Sequence, residues 1–152
     1  MALLFAQGFE TTNNIENTFD GQYLASITSN YKRNGNYAVS VGNYIRKNLS
    51  SDKTTLIAGV GFYKSHGNDN AIFRFNNSWN NINIDIRISI TNELYVKVRN
   101  SDNYGTGVFI NNNVWYYLEF KSYCHPSLGT AIVRLNGIEI LIHTLLKFQR
   151  AK

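Results

Sequence analysis

The sequence contains little cysteine, proline or methionine and few charged residues. Its 152 residues include one cysteine, one proline and one methionine, and only 16% of them are charged. Because Cys124 is the single cysteine, it cannot form a disulfide within the chain, so we expect a fold made in a reducing compartment or one indifferent to redox state. No cysteines and histidines stand at metal-ligand spacing, and we expect no cofactor.

Long apolar runs are also lacking. No stretch approaches the roughly 20 apolar residues that span a bilayer, and residues 1–5 lack the basic residues that open a signal peptide. We therefore expect no membrane partner and no export signal. The net charge is +5, but the lysines and arginines are scattered and do not alternate with aromatic residues as a nucleic-acid stacking platform requires. The sequence thus favours mild attraction to an acidic partner surface over nucleic-acid binding.

Aromatic residues, asparagine and glycine are abundant. Aromatic residues make up 14% of the chain, and there are 22 asparagines and 11 glycines, a composition typical of β-strands joined by turns. The strongest local signal is an isoleucine at every second position from Ile82 to Ile90. On a strand these side chains share one face, whereas on a helix they would surround the axis. We expect the stripe in a core and the intervening Asp85 on the exposed face.

The same period of two marks further strands. Two glycines in the segment 54–63 indicate either burial on both faces or a bulge, and Asn136-Gly137 predicts a two-residue hairpin turn. A polar loop is expected over residues 100–105. About ten short strands without an amphipathic helix predict an all-β, two-sheet antiparallel sandwich, with residues 1–152 as one domain. Besides the isoleucine stripe, we predict strands over residues 37–41, 54–63, 71–75, 93–99, 107–110, 114–121, 130–135 and 138–142.

The acidic and nucleophilic residues do not form a catalytic set. A retaining glycosidase needs two carboxylates roughly 5–5.5 Å apart, and no acids here alternate along one strand in that manner. The three histidines are distant in sequence, and the adjacent Cys124 and His125 point apart on an extended segment. Residues 68–70 and 100–103 offer oxygen ligands to calcium, but their spacing differs from an EF-hand and suits turn geometry. We expect a binding protein and not an enzyme.

Four segments together resemble a known fold family. They are Phe5–Glu10, Arg33–Val39, Trp115–Lys121, which is similar to a "W-Y-x-L-E-F-K" strand, and Gly129–Gly137, which is similar to a "G-x-V-x-V-x-V-N-G" hairpin. In this order they resemble laminin-G-like, concanavalin-A-like domains of the kind found in virion proteins of tailed bacteriophages. The resemblance implies a concanavalin-A-like jelly-roll sandwich with a structural or adhesive role, made in the host cytoplasm and located in the virion.

The chain departs from this family after the hairpin turn at Asn136-Gly137. Family members usually add one or two strands that close the sandwich, whereas here few residues follow Ile142. A missing strand would leave a sheet edge unpaired. Either a neighbouring subunit or the capsid surface covers this edge, or residues 145–148 form the last strand of the sandwich.

The resemblance implies the function of a phage structural protein. The leading interpretation is a capsid decoration (cement) protein that binds the major capsid protein or another virion protein and stabilises the head shell, as a dimer or trimer. The alternative is a carbohydrate-binding module or tail-tip adhesin, with weak glycan binding by the same aromatic side chains. Core packing stays an alternative for the aromatic members of the candidate interface, which comprises Tyr44, Tyr63, Trp79, Tyr104, Lys147, Phe148 and Arg150.

Overall fold

The protein is built from β-strands, as the sequence predicts. The computed structural model describes residues 20–30, 32–33, 38–46, 48, 54–65, 70–77, 82–98, 102–123 and 129–146. Within these residues, no helix has the length and apolar character needed to cross a membrane. The strands are β1 (Gly21–Thr28), β2 (Ala38–Arg46), β3 (Thr55–Tyr63), β4 (Asn70–Asn77), β5 (Ile82–Ile88), β6 (Glu93–Val98), β7 (Asp102–Phe109), β8 (Trp115–Tyr123), β9 (Gly129–Leu135) and β10 (Ile138–Leu146).

The chain divides into two compact units, residues 1–51 and residues 52–152. In the first unit, β1 and β2 form an antiparallel pair whose register shifts between Tyr23 and Ala25. Tyr44 of β2 stands opposite Tyr23. After this pair, the backbone amide of Asn48 donates a hydrogen bond of 2.5 Å to a carboxylate oxygen of Asp20. The prediction of one domain over the whole chain stays a prediction.

The second unit is a two-sheet antiparallel sandwich, which confirms the predicted architecture. Sheet I has the strand order β10-β9-β8-β3, and sheet II has the order β4-β5-β6-β7. Apolar side chains of both sheets form one core, and Phe73 of β4 packs its ring 5.8 Å from that of Phe120 in β8. Among the residues whose burial is described, the buried apolar ones are Phe75, Ile84, Ile86, Ile88, Leu94, Val96, Val98, Ile110, Leu118, Phe120, Ala131, Val133 and Leu135.

The isoleucine stripe is confirmed from Ile84 to Ile88 but not at its last position, and the side chain of Ile82 is not described. Ile84, Ile86 and Ile88 are buried in the core. Ile90 is 78% exposed because β5 ends at Ile88 and the chain then turns. The Asn92 amide donates to the Ser89 carbonyl at 3.0 Å, and Asn92 adopts a left-handed φ of 67°. The turn therefore points the fifth isoleucine away from the sandwich.

Asp85 corrects the prediction of an exposed polar stripe, since it is only 2% exposed. Arg74 donates through Nε to Oδ1 at 2.7 Å and through Nη2 to Oδ2 at 2.6 Å. Arg87 adds a contact from Nη1 to Oδ2 at 3.2 Å. The hydrogen bonds from Arg74 to Asp85 raise the pKa of the Arg74 guanidinium above its usual value. Two guanidinium groups thus hydrogen-bond a buried carboxylate in a place that the strand pattern assigns to solvent.

The course of β3 and β7 also differs from the sequence prediction. All nine residues of β3 pair with β8 without a bulge, and its exposed positions, among them Gly59 and Gly61, alternate with half-buried ones. The expected burial on both faces, or a bulge, is therefore wrong. The predicted polar loop over residues 100–105 is wrong from Asp102 onward, because β7 begins there and pairs with β6.

The last hairpin is confirmed. Asn136 and Gly137 form a two-residue turn with φ of 51° and 82°, the left-handed values that suit strand twist. β10 then continues through Leu146, which stands opposite Gly129 of β9. Leu145 and Leu146 therefore extend β10 and do not begin a separate strand, while residues 147 and 148 lie outside the described residues.

Candidate interaction surface

Three connections of the sandwich meet at one end of the second unit. They are the turn between β5 and β6, the segment between β7 and β8, and the two-residue turn between β9 and β10. The Ile110 amide donates to the Asn92 carbonyl at 2.9 Å, and the Asn136 amide donates to the Tyr117 carbonyl at 2.8 Å. We call this region, residues 63–65, 89–93, 109–117 and 136–138, the turn end.

A buried lysine links these connections. Lys64 follows β3 and donates from Nζ to Asn92 Oδ1 at 2.6 Å and to Asn112 Oδ1 at 3.0 Å. Its carbonyl oxygen accepts from the Asn113 amide at 2.7 Å. Asn92 and Asn113 both have positive φ values, which asparagine tolerates better than most residues. One side chain therefore holds two Asn-containing turns against the end of β3.

Tyrosine and asparagine side chains further fix the turn end. Asn136 Oδ1 accepts from the Tyr117 amide at 2.8 Å, so the last hairpin turn is tied to β8. The Tyr116 hydroxyl accepts from the Asn111 amide at 3.1 Å. Each bond is worth about 0.5–1.5 kcal/mol net, and together they hold the turns in one arrangement.

The turn end exposes large apolar side chains where polar residues are the rule. Ile90 is 78% exposed, Ile138 70%, Phe109 61% and Val114 41%. Single exposed apolar residues are ordinary, but several that share one end of a domain indicate a contact surface. The turn end is therefore the candidate interaction surface of the sandwich.

The structure places one predicted interface residue at the turn end. Tyr63 is half-buried at the end of β3, with its ring 5.5 Å from that of Trp115 and its hydroxyl 3.2 Å from Asn113 Oδ1. Tyr104 instead packs against the core, which was the alternative for the aromatic candidates. Tyr44 belongs to β2 of the first unit, and its side chain is not described. The remaining candidates, Trp79, Lys147, Phe148 and Arg150, lie outside the described residues.

The four exposed apolar residues of the turn end were not singled out from the sequence. A usable signal was present, because Ile90 precedes Thr91-Asn92, Val114 follows a run of three asparagines, and Ile138 follows Asn136-Gly137. These three residues stand beside a turn, where the alternation that directs strand side chains into the core begins or ends. Phe109 carries no such mark, since it ends an alternating strand.

No metal centre is found in the part of the chain that the structure describes, where no three His, Cys, Asp or Glu residues gather at metal-binding distance. Of the two segments considered for calcium, residues 68–69 and 100–101 lie outside this part, and Asp102 and Asn103 belong to β7. Cys124 and His125 also lie outside it.

Comparisons with models of protein families, with curated proteins and with solved structures give no match for this chain. The resemblance to virion jelly-roll domains accordingly stays a prediction.

Proposed function

We propose that the chain is a structural protein of a tailed-bacteriophage virion, a capsid decoration protein that binds the head shell through its turn end. The observation that carries this proposal is the group of four exposed apolar side chains, Ile90, Phe109, Val114 and Ile138, on turns held by hydrogen bonds and on the strand ends beside them. The resemblance of the Trp115–Lys121 and Gly129–Gly137 segments to virion domains supports the choice of partner.

The free energy gained by burying the exposed apolar side chains of the turn end is of the size that attachment to a head shell needs. Complete burial of an Ile, Val or Phe side chain contributes about 1.5–3 kcal/mol, and the hydrogen-bonded turns do not need to be ordered when they bind. A few such anchors give modest affinity for one copy. A dimer or trimer on a symmetric shell would bind far more tightly, because the second contact forms at high effective concentration.

The role of a capsid decoration protein requires no catalytic chemistry. A decoration protein acts by adding contact area, and its surface needs fixed shape and exposed anchors. The turn end supplies both, since Lys64 and the asparagines fix the turns while the apolar side chains stay outside. The shell protein would supply the complementary apolar groove.

The copy number of the chain in purified particles tests this function. Quantitative mass spectrometry against the major capsid protein should find hundreds of copies per particle, and electron microscopy should place them on the head. A handful of copies at the tail would instead support a tail-tip adhesin. Absence from particles would overturn the proposal.

A further inference from the structure

Of the four edge strands that the structure describes in the sandwich, three are interrupted. Sheet II ends in β4 and β7, and sheet I ends in β10 and β3. The pairing of β4 shifts between Ala71 and Phe73, and that of β10 shifts at two places. In β7, residues 106–108 stand against Leu94 of β6 alone, and Gly107 has a left-handed φ of 69°. Such irregularities keep an edge from pairing with another chain.

The remaining edge strand, β3, has none of these interruptions. All of its residues from Thr55 to Tyr63 pair with β8 in one unbroken register. It contains no proline and no charged side chain, whereas β4 carries Arg74, β7 carries Asp102 and β10 carries Glu139. No strand in the described part of the chain pairs with the other side of β3. A long, regular and uncharged edge strand offers backbone donors and acceptors to a further strand.

We propose that residues 55–61 of β3 pair with the same residues of a second copy of this chain. A two-fold axis perpendicular to sheet I sets the two strands antiparallel and joins two four-stranded sheets into one of eight strands. In such an interface each strand meets an identical strand, so a charged strand would oppose its own charge. Because β3 is uncharged and its copy is equally long and regular, a second copy suits this edge.

The small size of this contact limits its strength. Residues 55–61 extend over about 23 Å at about 3.3 Å per residue, and one strand pair buries less than the roughly 1,000 Å² of a stable specific interface. We therefore expect a weak dimer in solution, with a dissociation constant of about 10–100 µM. Copies held side by side on one surface would pair more readily, because their effective concentration is higher.

Amide hydrogen exchange of the whole chain, measured residue by residue at several concentrations, tests the pairing. In an edge strand without a partner, every second amide points away from the sheet and exchanges fast, whereas in the dimer all of them are hydrogen-bonded. On dilution from about 1 mM to about 10 µM, every second amide from Leu56 to Gly61 should exchange about fivefold faster or more. Sedimentation equilibrium should give a dimer with the same concentration dependence.

Two proline variants separate backbone pairing from side-chain contact. Ile57→Pro and Ala58→Pro each remove one amide donor, and since successive amides point to opposite sides of a strand, one of the two faces the open edge. Thermal melts identify that variant, because proline is tolerated there, and sedimentation should find it monomeric. The matched control, Ile57→Ser, changes a 48% exposed side chain but keeps the backbone donor, and it should dimerise as the wild type does.

Several results would overturn the pairing of β3. They are a monomer at about 1 mM, protection that does not change on dilution because the chain's own residues cover the edge, protection that appears only with head shells, and dimerisation by the edge-facing proline variant. The inference does not rest on the proposed function, since residues 55–61 lie outside the turn end. Loss of shell attachment in a chain that still dimerises would contradict the proposed function alone.

Discussion

The turn end and the outer face of sheet II each bury a charged side chain, but they hold it in different ways. Asp85 on sheet II accepts from two guanidinium groups, so its charge is compensated by opposite charge. Lys64 at the turn end donates to two amide oxygens and forms no ion pair with any described residue. A carboxylate between arginines stabilises a sheet, whereas an ammonium among amides orients turns. The outer face of sheet II is therefore a structural region, whereas the turn end is a region that presents a contact surface.

We expect the largest loss of stability from removing the two arginines that pair with Asp85. Replacing both Arg74 and Arg87 by alanine leaves the Asp85 carboxylate buried without its cations, and we expect the free energy of unfolding to fall by about 3–5 kcal/mol. Urea denaturation monitored by tryptophan fluorescence measures the change.

Arg134→Ala is the matched control for the arginine variants. The Arg74 and Arg134 side chains are equally exposed at 51%, but the partner of Arg134, Glu139, is 37% exposed and that of Arg74 only 3%. Loss of the Arg134 pair should cost no more than about 1 kcal/mol. Similar losses for Arg74→Ala and Arg134→Ala would show that burial of Asp85 has no energetic consequence.

We expect a smaller loss of stability from replacing Lys64. Lys64→Met keeps the aliphatic volume but removes two hydrogen bonds, and water can reach the exposed Asn112 amide that is left. We expect the free energy of unfolding to fall by about 1 kcal/mol. We also expect faster hydrogen exchange at the Asn113 and Ile110 amides. Lys121→Met, at an exposed position, should change neither quantity. Unchanged exchange in Lys64→Met would contradict the assigned role of Lys64 in fixing the turns.

The exposed apolar residues of the turn end should contribute least to folding. Ile90→Ser with Phe109→Ser removes two side chains that are mostly in water, so the free energy of unfolding should stay within about 0.5 kcal/mol of the wild type. The same denaturation experiment measures it. A large loss would mean that these side chains pack against part of the protein, and the turn end would no longer qualify as an open contact surface.

Local patterns predicted much of the fold. The isoleucines of β5 alternate over seven residues, and Asn136-Gly137 has the left-handed preference that a tight hairpin needs. Both signals depend on neighbours in sequence, so they are visible without a structure. Ile90 was assigned to the stripe because alternation alone cannot show where a strand ends.

Contacts between distant strands were out of reach of such patterns. Arg74 meets Asp85 because the register of β4 and β5 shifts between Ala71 and Phe73, and no feature of either strand predicts that shift. The ring of Tyr117 lies over Gly59 only because β3 pairs with β8 in this register. The glycines were noticed in the sequence, but their partner was not.

The binding of the purified chain to head shells that lack it tests the central claim most directly. Cosedimentation should show saturable binding by the wild type and by Ile142→Ser, which alters a 57% exposed apolar residue away from the turn end. The Ile90→Ser, Phe109→Ser variant should bind about tenfold more weakly or not at all. Equal binding by this variant, with its fold intact, would contradict attachment through the turn end.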